Sequence, residues 1–219
     1  GSGAISFGGV VGGITAISSL TLQGTGVNTL PSAITATGAI NLKGTSRTNT
    51  LVAATTLTSN SAGTITLGDT NGAFALSISN GAGVIDLANV GNSTSLASLT
   101  LLGTGINQLR GSLTTTGAID LKGTSRSTQL FFSPTITTTN ANVTTGTIDG
   151  GTGTTEGTYS LTIANGSGTI TLGNVGGTIA LYELTLTGTG NTVVGTINTT
   201  YRYNLGANRG LTLSSDTTY

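Results

Sequence analysis

Fourteen residues carry formal charge in a chain of 219, seven basic and seven acidic, so any chemistry must come from few groups. The acids are Asp69, Asp86, Asp120, Asp149, Glu156, Glu183 and Asp216. Carboxylates paired across a groove hydrolyse glycosidic bonds, but these acids are dispersed and none recurs with a close partner. Only Asp86 and Glu183 stand as a pair that folding could bring together. Histidine and cysteine are absent, which removes the commonest general base, the thiol nucleophile and the commonest soft metal ligands. We therefore expect no enzyme, no catalytic residue, no cofactor and no metal. The run Asp149-Gly150-Gly151-Thr152-Gly153 hints at a calcium turn. Calcium takes six to eight oxygen ligands, and Glu156 is the only other acid nearby, so an ordinary loop is expected.

The basic residues show one pattern. Lys43 and Arg47 recur as Lys122 and Arg126 in two KGTSR runs. If the intervening stretch makes about four coils, the two pairs lie roughly 19 Å apart on one face. That is a basic stripe for acidic glycans or a neighbouring filament. The plainer reading is a solvated corner that discourages sideways aggregation.

Other polar patterns are weaker. The pairs Thr64/Thr66, Thr169/Thr171 and Thr185/Thr187 suggest an outward hydroxyl array suited to ice. Thr169 and Thr171 align with Val84 and Asp86, then with Ala4 and Ser6, so the column is expected to break. Asn-x-Ser/Thr sequons fall at Asn92, Asn142, Asn165 and Asn198, no more than this composition yields by chance. Tyr159, Tyr182, Tyr201, Tyr203 and Tyr219 thicken toward the carboxyl end, either as core packing or as stacking at an interface.

The elements that must position these residues follow from composition and repeats. Charged residues are 6% of the chain, with 36 glycines and 48 threonines, and Thr, Val and Ile suit a pleated surface. Alternations such as Thr169-Ile170-Thr171-Leu172 put apolar residues on one side and polar ones on the other. Helix formers are nearly absent, and no apolar run is long enough to span a bilayer as a helix. The net charge of zero gives no electrostatic footprint for nucleic acid.

Long repeats decide the architecture. GSGAISFGGVVGGITAISSLTLQGTG from Gly1 returns as GAGVIDLANVGNSTSLASLTLLGTG from Gly81 and as GSGTITLGNVGGTIALYELTLTGTG from Gly166. ITATGAINLKGTSR from Ile34 returns as LTTTGAIDLKGTSR from Leu113 and, more weakly, as INTTYRYNLGANR from Ile197. The period is about 80–85 residues, built from strand-like units about 20 residues apart. Equivalent repeats need equivalent environments, which a solenoid supplies and a sandwich does not. The expected fold is all-β, a parallel β-helix spanning 1–219 as one unit, with long repeats at about 1–80, 81–165 and 166–219. About 11 coils would make a rod on the order of 50 Å long. Leu20/Leu99/Leu184 and Leu22/Leu101/Leu186 are expected to form inward columns. Neither end reads as a polar cap, so continuation into adjoining repeats or other copies is expected.

The runs VGNSTSLASLTLLGTG, VGGTIALYELTLTGTG, ITATGAINLKG and GTYSLTIANGSGTITLG resemble repeats of filamentous haemagglutinin-like exoproteins of Gram-negative bacteria, which are exported by two-partner secretion. The resemblance covers essentially the whole chain through degenerate repeat motifs. It implies a right-handed parallel β-helix at the cell surface or outside the cell, working in adhesion, aggregation or contact-dependent delivery. The function expected is a rigid stalk of a surface adhesin. The alternative is a filament subunit stacking end to end on copies of itself. Surface glycans or proteins are the implied partners, without membrane insertion. Ice binding and glycan-active catalysis are remote alternatives.

Overall fold

A computed structural model describes residues 1–214. These residues contain 25 strands and no helix, and every strand pairing is parallel. The chain winds as a β-solenoid of about 10 turns with roughly 21 residues per turn, close to the coil length read from the sequence. At the usual inter-strand spacing the rod is about 50 Å long.

The rod has three faces. The first runs from Ile5–Ser6 through Val27–Leu30 and Thr48–Leu51 to Thr70–Asn71. Bridges from Thr70 to Val90 and from Val90 to Leu113 carry it into the sheet that ends at Thr199–Leu205. The second face has nine strands, from Ala33–Ala36 to Gly210–Leu213, and the third has seven, from Leu20–Thr21 to Ile148–Gly150. Strict alternation within each strand sends one set of side chains inward. Thr55–Ser59, for example, is buried at Thr55, Leu57 and Ser59 and more exposed at Thr56 and Thr58.

The inward residues stack in columns, each on its neighbour one turn away. On the second face Leu76, Leu99, Ile119, Val143 and Ile170 are in register, and on the third Leu67, Leu87, Leu109 and Leu130. All are at most 1% exposed. At roughly 1.5–3 kcal/mol for each buried aliphatic side chain, these columns dominate the stability of the rod.

The long repeats do not stack upon themselves. From Ile40 on the third face, successive faces are marked by Thr48, Leu57, Ile65, Thr70, Leu76, Ile85, Val90, Leu99, Asn107, Leu113 and Ile119. That is eleven faces, or three and two-thirds turns, where four full coils were expected. From Ile119 to its counterpart Tyr203 the count is again eleven, through Thr128, Ile136, Val143, Ile148, Ile163, Ile170, Val175, Leu184, Thr192 and Ile197. Each long repeat is therefore set back by one face, a third of a turn, from the one before. Leu20, Leu99 and Leu184 consequently lie in three different sheets and form no common column. Turn length is elastic: Ile136 to Ile163 takes 27 residues and Leu186 to Leu205 takes 19.

Candidate functional site

The setback moves the two KGTSR runs onto different corners. Lys43–Arg47 joins the third face to the first, and Lys122–Arg126 joins the second to the third. The expected stripe also loses its arginines, because Arg47 is only 2% exposed and Arg126 only 1%. Lys43 is half-buried and Lys122 exposed. The four residues form no common surface. The physical reason is that the guanidinium turns inward, where it meets a ring of carbonyl and amide oxygens.

Each of these arginines ties together three turns. Arg126 Nε donates to Asn107 Oδ1, and Nη1 to Leu102 O at 3.2 Å, one turn back. Two turns back, Nη1 reaches Asn80 Oδ1 and Nη2 reaches Gly83 O, both at 2.9 Å. Arg47 repeats this geometry with Asn28 Oδ1, Gln23 O and Val27 O one turn back and Gly3 O two turns back. A third arginine, Arg209, does the same at the corner between the first and second faces. Its acceptors are Thr187 O, Asn191 O, Thr192 Oγ1, Gly166 O and Asn165 Oδ1, all served by Nη1 and Nη2. Every acceptor is neutral. Desolvation lowers the Arg126 pKa to about 10, so the group remains a cation at neutral pH. Its planar fork suits this role, since five fixed donors can serve several oxygens at once.

The partner asparagines continue the network. Asn28 Nδ2 donates to Asn49 Oδ1 at 2.8 Å, and Asn49 Nδ2 to Thr70 Oγ1 at 3.2 Å, so a polar ladder runs up the interior of the first face. Asn165 is fully buried with Oδ1 on Arg209, which removes it as a glycosylation acceptor. Asn92, Asn142 and Asn198 remain exposed.

Asp86 pairs with Arg110 at 2.9 Å on the third face, and Glu183 pairs with Arg202 at 2.9 Å on the first, so these two acids do not meet. Arg110 also lies over the Phe131 ring, 4.5 Å from its centroid. Asp149 Oδ1 accepts from the backbone of Thr178 and Ile179, which makes it a turn cap. No cluster of three or more acids exists among the described residues. Asp216 and Tyr219 lie outside them. Thr66 sits between Asn41 and Asp86, so it belongs to no hydroxyl array. Thr185 does align with Thr162 and Thr135, and Thr187 with Ala164 and Thr137, giving a small threonine patch over three turns.

The tyrosines divide. Tyr159 and Tyr203 pack against the core, while Tyr182 and Tyr201 stack on one another outside it, with centroids 4.9 Å apart and planes 8° from parallel. Arg202 lies over the Tyr201 ring at 5.1 Å. Glu183 Oε1 accepts from Thr185 Oγ1, Arg202 Nε and Asn204 Nδ2. The Thr185 hydroxyl first, and then Arg202, hold its carboxyl below the ordinary carboxylate range.

No family model, curated protein or solved structure matches the chain.

Proposed function

We propose that this chain is a rigid rod segment of a secreted, adhesin-type surface protein, and that it acts by spacing and presenting rather than by catalysis. The observation that carries the reading is the set of three arginine staples. Each buries a cation and uses it to bind one turn to the two before it. A buried unpaired charge is costly unless it is fully hydrogen-bonded, and here the return is resistance to bending and to slippage between turns. The repeat resemblance described above supports placement at the cell surface or outside the cell. Among the described residues Asp69, Asp120 and Asp149 accept from nearby amides and Asp86 and Glu183 stand in separate ion pairs, so they offer no clustered carboxylates for glycoside cleavage.

Electron microscopy of the purified chain tests the reading. Isolated straight rods near 50 Å are expected, and long uniform fibres would replace it with end-to-end assembly of copies.

A further inference from the structure

We propose that Tyr182, Tyr201, Arg202 and Glu183 form a binding site for a saccharide residue. The long repeats provide an internal comparison. The backbone beneath these residues is built three times. In the first repeat Ile17 pairs with Ala36 and Leu20 with Ile40; in the second, Leu96 pairs with Thr115 and Leu99 with Ile119. In the third, Leu181 pairs with Thr199 and Glu183 with Arg202. In every case the later strand carries one extra residue, a β-bulge at the same place in the repeat.

What stands on that bulge differs. The second repeat has Ala97, Ser98, Gly117 and Ala118 where the third has Tyr182, Glu183, Tyr201 and Arg202, and the first has Ser18, Ser19, Gly38 and Ala39. The fold thus makes this bulge twice with the smallest side chains available. The four large ones are not required to build it. Bulges re-aim side chains, and here both tyrosines point outward, 42% and 57% exposed.

The exposed chemistry fits a hydroxylated ring. Tyr182 and Arg202 take the faces of the Tyr201 ring, so the stacked pair offers the hydroxyl-bearing ring edges as an apolar surface with polar rims. Glu183 is fixed as a carboxylate by three donors on Oε1, and its hydrogen bonds leave Oε2 for an incoming hydroxyl. Arg202 uses only Nε in its ion pair and its side chain is 52% exposed, so its terminal nitrogens are available as donors. The cluster is electrically balanced, and donors and acceptors lie side by side beside an aromatic wall. At 150–250 Å² for a whole aromatic side chain, the two rings expose roughly 200 Å². A stable protein partner needs about 800 Å² on each side, whereas one or two sugar rings would fill the patch. The proposal does not depend on the rod reading, since a site of this kind would work on any scaffold.

The test returns the third repeat to the residues of the second. The combined variant Tyr182→Ala, Glu183→Ser, Tyr201→Gly and Arg202→Ala is compared with the unaltered chain. The probes are glucose, galactose, N-acetylglucosamine and their oligomers, added while ring signals of isotopically labelled tyrosine are followed by NMR in the unaltered chain and the broadening of the sugars' own signals is titrated against both chains. Saturable shifts at Tyr182 and Tyr201 with at least one sugar are expected, with binding weakened by at least about tenfold in the variant. Circular dichroism and melting should show the variant still folded. A Glu183→Gln single variant should bind more weakly while keeping the tyrosine stack. Absence of shifts across the panel, or equal binding by the folded variant, would overturn the proposal. So would a patch that only joins a second copy, seen as concentration-dependent sedimentation without sugar-induced shifts.

Discussion

Arg126 and Asn80 are 46 positions apart, yet Nη1 of the arginine donates directly to the asparagine Oδ1 at 2.9 Å, across two turns of the rod. The same guanidinium serves Leu102, Ile106, Gly83 and Asn107. Arg126→Met keeps much of the volume but leaves those buried oxygens without a donor. Breaking such a network costs about 3–5 kcal/mol. Arg126→Lys should be nearly as damaging, because one ammonium with three donors cannot span the same set. Lys122→Ala, four residues earlier and exposed, should stay within about 0.5 kcal/mol. Urea unfolding followed by circular dichroism checks all three, and equal midpoints for the Arg126 and Lys122 variants would refute the staple.

Gly105 has an ordinary backbone conformation, but a Cβ there would lie 2.0 Å from the Gly83 carbonyl oxygen one turn back. Gly26 and Gly190, its counterparts in the other repeats, meet Gly3 and Gly168 oxygens at 2.1 and 2.0 Å. The corner is closed by backbone against backbone, and a methyl group must push the turns apart. Gly105→Ala should therefore cost about 1–3 kcal/mol, while Gly3→Ala, with open space around it, should be close to neutral. Thermal melting of the two variants side by side distinguishes them.

Much of this fold was legible in the sequence because one physical rule governs it. Alternation placed Ile65 and Leu67, or Ile170 and Leu172, on the buried side, and recurrence of the same corners implied a solenoid. What was not legible was phase. Dividing the long repeat by an average coil gives nearly four turns, but corners vary in length, and only the pairings show eleven faces. The candidate stripe failed for the same reason and for a second one. In a KGTSR run lysine and arginine look alike as surface charge. A signal was present, since the arginine returns as Arg209 in the GANR run where the lysine does not. Asn28 and Asn107 also precede their arginines by the same 19 residues. A position that keeps arginine while losing its lysine neighbour is held by the fork, not by the charge.

The ion pair beside the stacked tyrosines makes the last repeat acid-sensitive. Glu183 has its folded pKa depressed, first by Thr185 and then by Arg202. Its contribution is therefore fully present above the unfolded value and is lost as pH falls through the depressed folded one. On acidification the strands Leu181–Thr187 and Thr199–Leu205 should exchange amide protons faster, while Ser98–Leu102 on the second face should be unaffected. Glu183→Gln should remove the pH dependence at that end, and a uniform acid response along the rod would contradict this assignment.

The setback of one face per long repeat can be read as a distance. Lys43 and Arg110 lie at the same corner, between the third and first faces, three turns apart, or about 14 Å along the axis. Lys122 is only two-thirds of a turn further on, at the corner between the second and third faces. Were the long repeat four full turns, Lys122 would lie on the same edge as Lys43, and a spin label there would be only about 5 Å more distant than one at Arg110. With three and two-thirds turns the label sits across the rod, and the width of a face enters the distance. Electron–electron resonance on cysteine pairs at 43/110 and 43/122 should therefore differ by clearly more than one turn's rise. A difference of one rise would restore the four-turn repeat, and with it the idea that equivalent residues share one edge of the rod.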